Sequence, residues 1–120
     1  MDDAVRRALE EDLTVDITTT GRRTGLPRRI EIWMLHVDGR WFITGTTGPR
    51  DWLANLRADP RMTLHLKESV TADLAAQAVE VTDEPTRRAV LEHATAVWYR
   101  SQEQVDALVA DAPMVELLFS

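Results

Sequence analysis

The chain has 120 residues, no cysteine and a formal charge of −6. That length suits one domain with a core that needs no staples, since a chain of this size hides roughly two-thirds of its unfolded surface. The missing cysteines exclude disulfides, thiolate catalysis and Cys-based metal sites, and the acidic balance argues against a surface built for nucleic acid or an anionic membrane.

Residues 2–10 carry Ala4, Val5, Ala8 and Leu9 on one side of a short helix. No signal-peptide core is present there and no long apolar run follows, so a soluble, cytoplasmic protein is expected. Leu13, Val15 and Ile17 then alternate with Thr14, Asp16 and Thr18, the period of a strand with one buried face. After the Gly21–Pro27 loop a second strand runs from Arg28 to Val37. Ile30, Ile32 and Met34 point one way and Trp33, Leu35 and Val37 the other, so both faces are expected to be covered. Asp38-Gly39 is a two-residue hairpin turn leading to a third strand, Arg40–Thr44. Gly45–Pro49 breaks that strand, and Pro49 suits the first turn of a helix that buries Trp52, Leu53 and Leu56 and ends before Pro60.

A fourth strand places Met62, Leu64 and Leu66 on one face. Val70–Thr82 reads as a long fifth strand whose phase slips between Ala76 and Val79, which predicts a bulge near Gln77. Asp83-Glu-Pro85 opens a helix to about Tyr99, burying Ala89, Leu91, Ala94 and Val97 or Trp98. Ser101 and Gln104 have the spacing of a capping box for a further helix with Val105, Leu108 and Val109 inward, and Met114–Phe119 closes as a last strand. These elements make a mainly β, α+β domain over residues 1–120: a six-stranded antiparallel barrel with two to four short flanking helices.

The chemistry concentrates in two loops. Arg22, Arg23, Arg28 and Arg29 lie within eight residues of each other, punctuated by Gly21, Gly25 and Pro27. Guanidinium forks and the N–H groups of Thr24 and Gly25 would clamp a phosphate or carboxylate; the alternative is a solvated loop whose arginines pair with surface acids. The second loop, Gly45-Thr-Thr-Gly-Pro-Arg-Asp-Trp52, joins a strand to a helix N-terminus, where Thr46, Thr47, Gly48 and Arg50 could complete such a site, or it is a plain connection with Trp52 in the core. Trp33 and Trp41 offer flat faces for a heterocycle or simply fill a core. His36, His65 and His93 lack metal-ligand spacing, so no metal is expected. No serine lies in a nucleophile-elbow context.

Thr18-Thr-Thr-Gly-Arg-Arg-Thr-Gly-Leu-Pro-Arg28, a Trp-containing strand, the Asp-Gly hairpin and Asp51-Trp-Leu-Ala-Asn-Leu-Arg-Ala-Asp-Pro60 together resemble the deazaflavin-dependent nitroreductase family. This family belongs to the split β-barrel flavin- and deazaflavin-binding superfamily, related in fold to the pyridoxamine phosphate oxidases. The resemblance covers residues 15–67 and extends more weakly to 82. It implies a split β-barrel, coenzyme F420 as hydride donor, a small activated acceptor (quinone, nitro compound or enone), and a homodimer with the cofactor near the interface. By matching position it assigns the phosphate and acidic tail to Arg22, Arg23, Thr24 and Arg28, and the lining of the coenzyme to Gly45, Thr46, Thr47, Gly48 and Trp52. Many members have a longer second loop with a lysine; here Arg50 is the cation that stands in its place. The coenzyme's flat ring suits a groove near Trp33, Trp41 or Trp52. The proton that completes reduction comes from solvent or from a tyrosine, for which Tyr99 is the candidate, the alternative being that Tyr99 only packs at a helix end. Because hydride chemistry resides in the coenzyme, no acid–base dyad is required. The same fold accommodates a non-catalytic ligand binder or a user of FMN or haem, and these remain alternatives.

Overall fold

The computed structural model describes all of residues 1–120. Helix α1 (Asp3–Glu11) is capped by the Asp2 carboxylate, which accepts from the N–H groups of Ala4 and Val5. It is followed by β1 (Thr14–Thr20), β2 (Pro27–Trp33), β3 (Leu35–Val37), β4 (Arg40–Thr44), α2 (Asp51–Ala58), β5 (Arg61–Leu66) and β6 (Ala72–Glu80). The C-terminal third supplies α3 (Glu84–Glu92), a 3₁₀ turn (Ala94–Ala96), α4 (Val97–Gln102), α5 (Val105–Asp111) and β7 (Met114–Phe119).

All seven strands form one antiparallel sheet in the order β2-β1-β5-β6-β7-β4-β3. Its two edge strands, β2 and β3, are separated in sequence by Met34 alone. The sheet therefore curls until its edges meet at that residue, which makes it a barrel. The Met34 N–H donates to Leu13 O at 2.8 Å, one step beyond the last β1–β2 pair in the same register. Seven strands appear where six are expected because the single strand over 28–37 is broken at this crossing. The expectation that both its faces are covered holds only from Met34 to Val37, where every residue but His36 is buried; Pro27–Glu31 is exposed on both faces.

Val15, Ile17, Ile43, Leu64, Leu66, Val115 and Leu117 fill the barrel, and Leu9 of α1 with Trp52, Leu53 and Leu56 of α2 pack against them. A second apolar layer sits outside β3, β4 and β7, where Leu35, Phe42 and Met114 meet Val90, Leu91, Tyr99, Leu108 and Val109 of the C-terminal helices. Phe42 and Ile43 are consecutive and both essentially inaccessible, because β4 lies between the two layers.

Four local expectations are corrected. The β6 register runs without a bulge against both neighbours; Ala76 and Ala78 keep the inward phase, and Val79, 46 % exposed, is an outward-facing apolar residue that mimics a slip. The helix expected to reach Tyr99 breaks at His93, whose extended backbone separates α3 from the 3₁₀ turn and α4, so five helices flank the barrel rather than two to four. Along it Ala89, Ala94, Val97 and Trp98 are exposed and Val90, Leu91, Ala96 and Tyr99 are buried. Ser101 lies within α4 and donates to Trp98 O, and Gln104 precedes α5 without a side-chain cap, so there is no capping box. Helix α2 begins at Asp51, which leaves Pro49 outside its first turn.

Candidate functional site

The arginine loop closes on itself before it reaches any other element. Gly21 N–H donates to Leu26 O, and Gly25 N–H to Gly21 O, both at 2.8 Å. Gly25 sits at φ 72°, the left-handed region that glycine adopts without a Cβ penalty. At Gly21 a Cβ would lie 2.9 Å from Thr24 Oγ1 and 3.1 Å from Leu26 O, so the turn cannot be this tight with any larger residue. The Gly25 N–H is thus spent inside the turn and is not free for an anion. The N–H groups of Arg23 and Thr24 have no acceptor within the protein.

Between this turn and α2 lies a pocket of about 470 Å³ lined by Thr19, Gly21, Arg22, Arg23, Thr24, Arg28, Ile30, Asp51, Trp52 and Asn55. Strand alternation sorts the four arginines. Arg28 shares the inward phase of Ile30 and faces the pocket, while Arg29 points to the opposite face and pairs with Asp16 at 2.9 Å. Lys67 also bonds Asp16, and it is the larger cause holding that carboxyl below its usual range. Arg22 bonds Asn55 and Asp51. Arg23 and Arg28 form no hydrogen bond or ion pair through their guanidinium groups, so two uncompensated cations border one cavity of a net-negative protein.

Of the residues singled out in the sequence, Arg22, Arg23, Thr24, Arg28 and Trp52 meet in this pocket. Gly45, Thr46, Thr47, Gly48 and Arg50 do not line it. Arg50 folds back on its own loop, donating to Thr46 O at 2.9 Å, Thr46 Oγ1 at 3.0 Å and Gly48 O at 3.1 Å. With Gly48 it lines a separate groove of about 450 Å³ on the side of α2 facing β6 and α5. The Glu103 carboxylate, just past α4, accepts from Thr47 N–H at 2.8 Å and from Thr47 Oγ1 at 2.5 Å, and these bonds hold it below the usual carboxylate range.

Trp33 joins an aromatic cluster instead, edge-on to Trp98 at 5.2 Å and to Tyr99 at 6.1 Å. Burial raises the Tyr99 phenol above its ordinary value, opposed in part by the positive charge of Arg50. Its hydroxyl makes no hydrogen bond within the protein, yet the oxygen is not sealed from solvent. Trp41 stands apart from both sites, stacked on His36 and donating its indole N–H to Leu9 O at 2.7 Å. Asn55, buried in the pocket wall, and Asp51 were missed as site residues, although both stand in the motif that carries the resemblance. Asn on an apolar helix face, at a position the core pattern assigns inward, was the available signal.

The family model of the F420H(2)-dependent quinone reductases matches residues 3–111. The chain belongs to that family. Members are oxidoreductases that use coenzyme F420, and this chain is an F420-dependent reductase on that ground. Solved structures agree on the fold. A pyridoxinephosphate oxidase family protein from Clostridium acetobutylicum, related to general stress protein 26 of B. subtilis, superposes with a TM-score of 0.72 at 14 % identity, covering 96 % of this chain and 80 % of its own. An F420-H2 dependent reductase superposes at 0.61 and 16 % identity over 89 % of this chain and 95 % of its own. An FAD-binding protein from Mesorhizobium loti reaches 0.73 at 11 % identity, over 100 % and 91 %. The residues of this F420H(2)-dependent quinone reductase family member suit the coenzyme: two unpaired guanidinium groups and two free N–H groups match an anionic phosphodiester end, and the Trp52 indole gives the same pocket an apolar wall.

Proposed function

We propose that this reductase holds the phosphodiester and acidic tail of F420 in the arginine-loop pocket and passes its reducing equivalents to a small activated acceptor: a quinone first, with nitro compounds and enones as further acceptors. When bound, the coenzyme supplies the hydride; the chain binds, orients and protonates. Arg23, Arg28 and Thr24 neutralise and hydrogen-bond the anionic end, and Trp52 bounds the pocket. The loop from Gly45 to Gly48, pinned by Arg50 and Glu103, lies beyond α2 and lines the approach to the coenzyme from that side. Tyr99, kept protonated by burial and backed by the Trp33–Trp98 cluster, donates the proton that completes reduction at an acceptor oxygen. The observation that carries this reading is the pair of unpartnered arginines, Arg23 and Arg28, on one cavity.

All three histidines are already engaged, His36 on Trp41, His65 between Thr18 and Asp73, and His93 with Thr95, which does not favour haem. No helix is long and apolar enough to cross a membrane, and a cytoplasmic location fits a reduced-coenzyme user. A second copy of the chain, packed on the exposed strand β2, is the partner that the cofactor site expects. The test is a fluorescence titration of the purified chain with F420. Micromolar binding that weakens by about 10- to 150-fold in each of R23Q and R28Q supports the reading, the loss of one charge-assisted contact being worth about 1.5–3 kcal/mol. No binding to the native chain overturns it.

A further inference from the structure

Asn55 is 4 % exposed and makes three hydrogen bonds. Its Oδ1 accepts from the Arg22 backbone N–H at 3.1 Å and from Arg22 Nη1 at 3.0 Å, while its Nδ2 donates to Thr19 Oγ1 at 3.2 Å. Arg22 Nη2 goes to Asp51 Oδ1 at 3.3 Å. A buried carboxamide is costly unless satisfied, and this one takes two of its three bonds from Arg22 and gives the third to Thr19 of β1. Every hydrogen bond from residues 22–25 to elements beyond the loop ends on Asn55 or Asp51, and the Asp51 carboxylate is 91 % exposed. Bonds inside the turn set its shape, from Gly21 N–H to Leu26 O, from Gly25 N–H to Gly21 O and from Leu26 N–H to Thr24 Oγ1, while Asn55 and Asp51 are its hydrogen-bonded ties to α2.

We propose that Asn55 is a positioning residue of the anion site: it pins the 22–25 turn to α2 and diverts the Arg22 guanidinium from the ligand, leaving Arg23 and Arg28 as the cations that face it. The proposal rests on reading the pocket as the seat of the coenzyme's anionic end. A turn ordered at folding loses little further freedom when the ligand arrives, which is where pre-organisation adds affinity. Arg22 meanwhile neutralises Asp51, which would otherwise repel an anion from the pocket wall.

The experiment measures F420 dissociation constants by fluorescence from low to high salt, with a thermal melt of each variant. R23Q and R28Q should weaken binding and flatten its salt dependence, because each removes a charge that salt screens. N55L, which alters no charge, should weaken binding by about tenfold while keeping the native salt slope. N55D retains acceptor oxygens for Arg22 but sets a carboxylate on the pocket wall, so its deficit should shrink as salt rises, whereas that of N55L should not. Should N55L fail to fold, R22Q/D51N carries the comparison, since it removes the Arg22 tie to Asn55 at no change in net charge and the Arg22 side chain is one-third exposed. Native affinity in a folded N55L overturns the proposal, as does native affinity in R22Q/D51N where N55L does not fold. Native affinity and slope in both R23Q and R28Q overturns the pocket assignment itself, and this proposal with it.

Discussion

Tyr99 shows how one residue's surroundings set its chemistry. It is 4 % exposed, and burial holds its proton more tightly than the ordinary phenol value of 10.0. The protonated form is therefore complete across neutral pH and is lost only as pH rises through the raised value. If Tyr99 supplies the proton, native turnover with a quinone is flat through neutrality and falls on an alkaline limb above pH 10. Y99F should lower turnover by about 100-fold, the usual scale for a positioned general acid, and lose that limb. A stopped-flow pH profile of both proteins decides it, and an unchanged rate in Y99F removes the role. The sequence offered Tyr99 as a lone aromatic near a helix end, and its burial depended on where the helix broke, at His93. That break follows from no proline or glycine; it comes from His93 capping the 3₁₀ turn, accepting from Thr95 N–H at 3.2 Å.

At the scale of elements, the C-terminal helices are held to the barrel by a residue that the apolar pattern assigns to solvent. Arg87 of α3 is 8 % exposed and forms no ion pair; its partners are carbonyls. Its guanidinium donates to Val81 O at 2.9 Å at the end of β6, and to Val109 O at 2.6 Å and Ala112 O at 2.5 Å at the end of α5. Those α5 carbonyls are the ones a helix C-terminus leaves without partners, and a cation there also opposes the helix dipole. R87M keeps the volume and removes every donor, so it should destabilise the fold by about 2–4 kcal/mol in urea unfolding, with R87K recovering part of the loss. A change within experimental error would mean that water can replace the arginine. Strand positions, the Asp38-Gly39 hairpin and helix α2 were all legible because each rests on local periodicity or on a residue with one conformational use; Asp38 and Gly39 indeed sit at φ 53° and 74°. Arg87 and the Met34 crossing were not legible, because each acquires its partners from elements distant in sequence; Asn55 left a signal in its inward position, but its bond to Arg22 did not.

The whole molecule leaves one edge unfinished. Strand β2 is exposed along residues 27–31, with Leu26 59 % and Ile30 38 % exposed, although the rest of the barrel wall buries its inward residues. Ile30 and Arg28 of that strand also line the arginine pocket, so the open side of the pocket and the uncovered strand are one surface. Pro27, Arg28, Arg29 and Glu31 guard this edge against indiscriminate strand pairing, while Leu26 and Ile30 leave apolar area for a specific partner. A second copy is the occupant consistent with the cofactor reading, since it would shield the pocket from bulk water. The native chain should then sediment at twice 13.6 kDa at micromolar concentration, and F420 should shift the equilibrium further toward the pair. Leu26→Glu places a charge on this surface without touching the pocket lining. It should sediment as a single chain, melt as the native fold does once concentration is matched, and bind F420 more weakly than the native pair. A native chain that stays single at every concentration, with and without F420, would show that β2 is exposed in the working enzyme and that the pocket functions open.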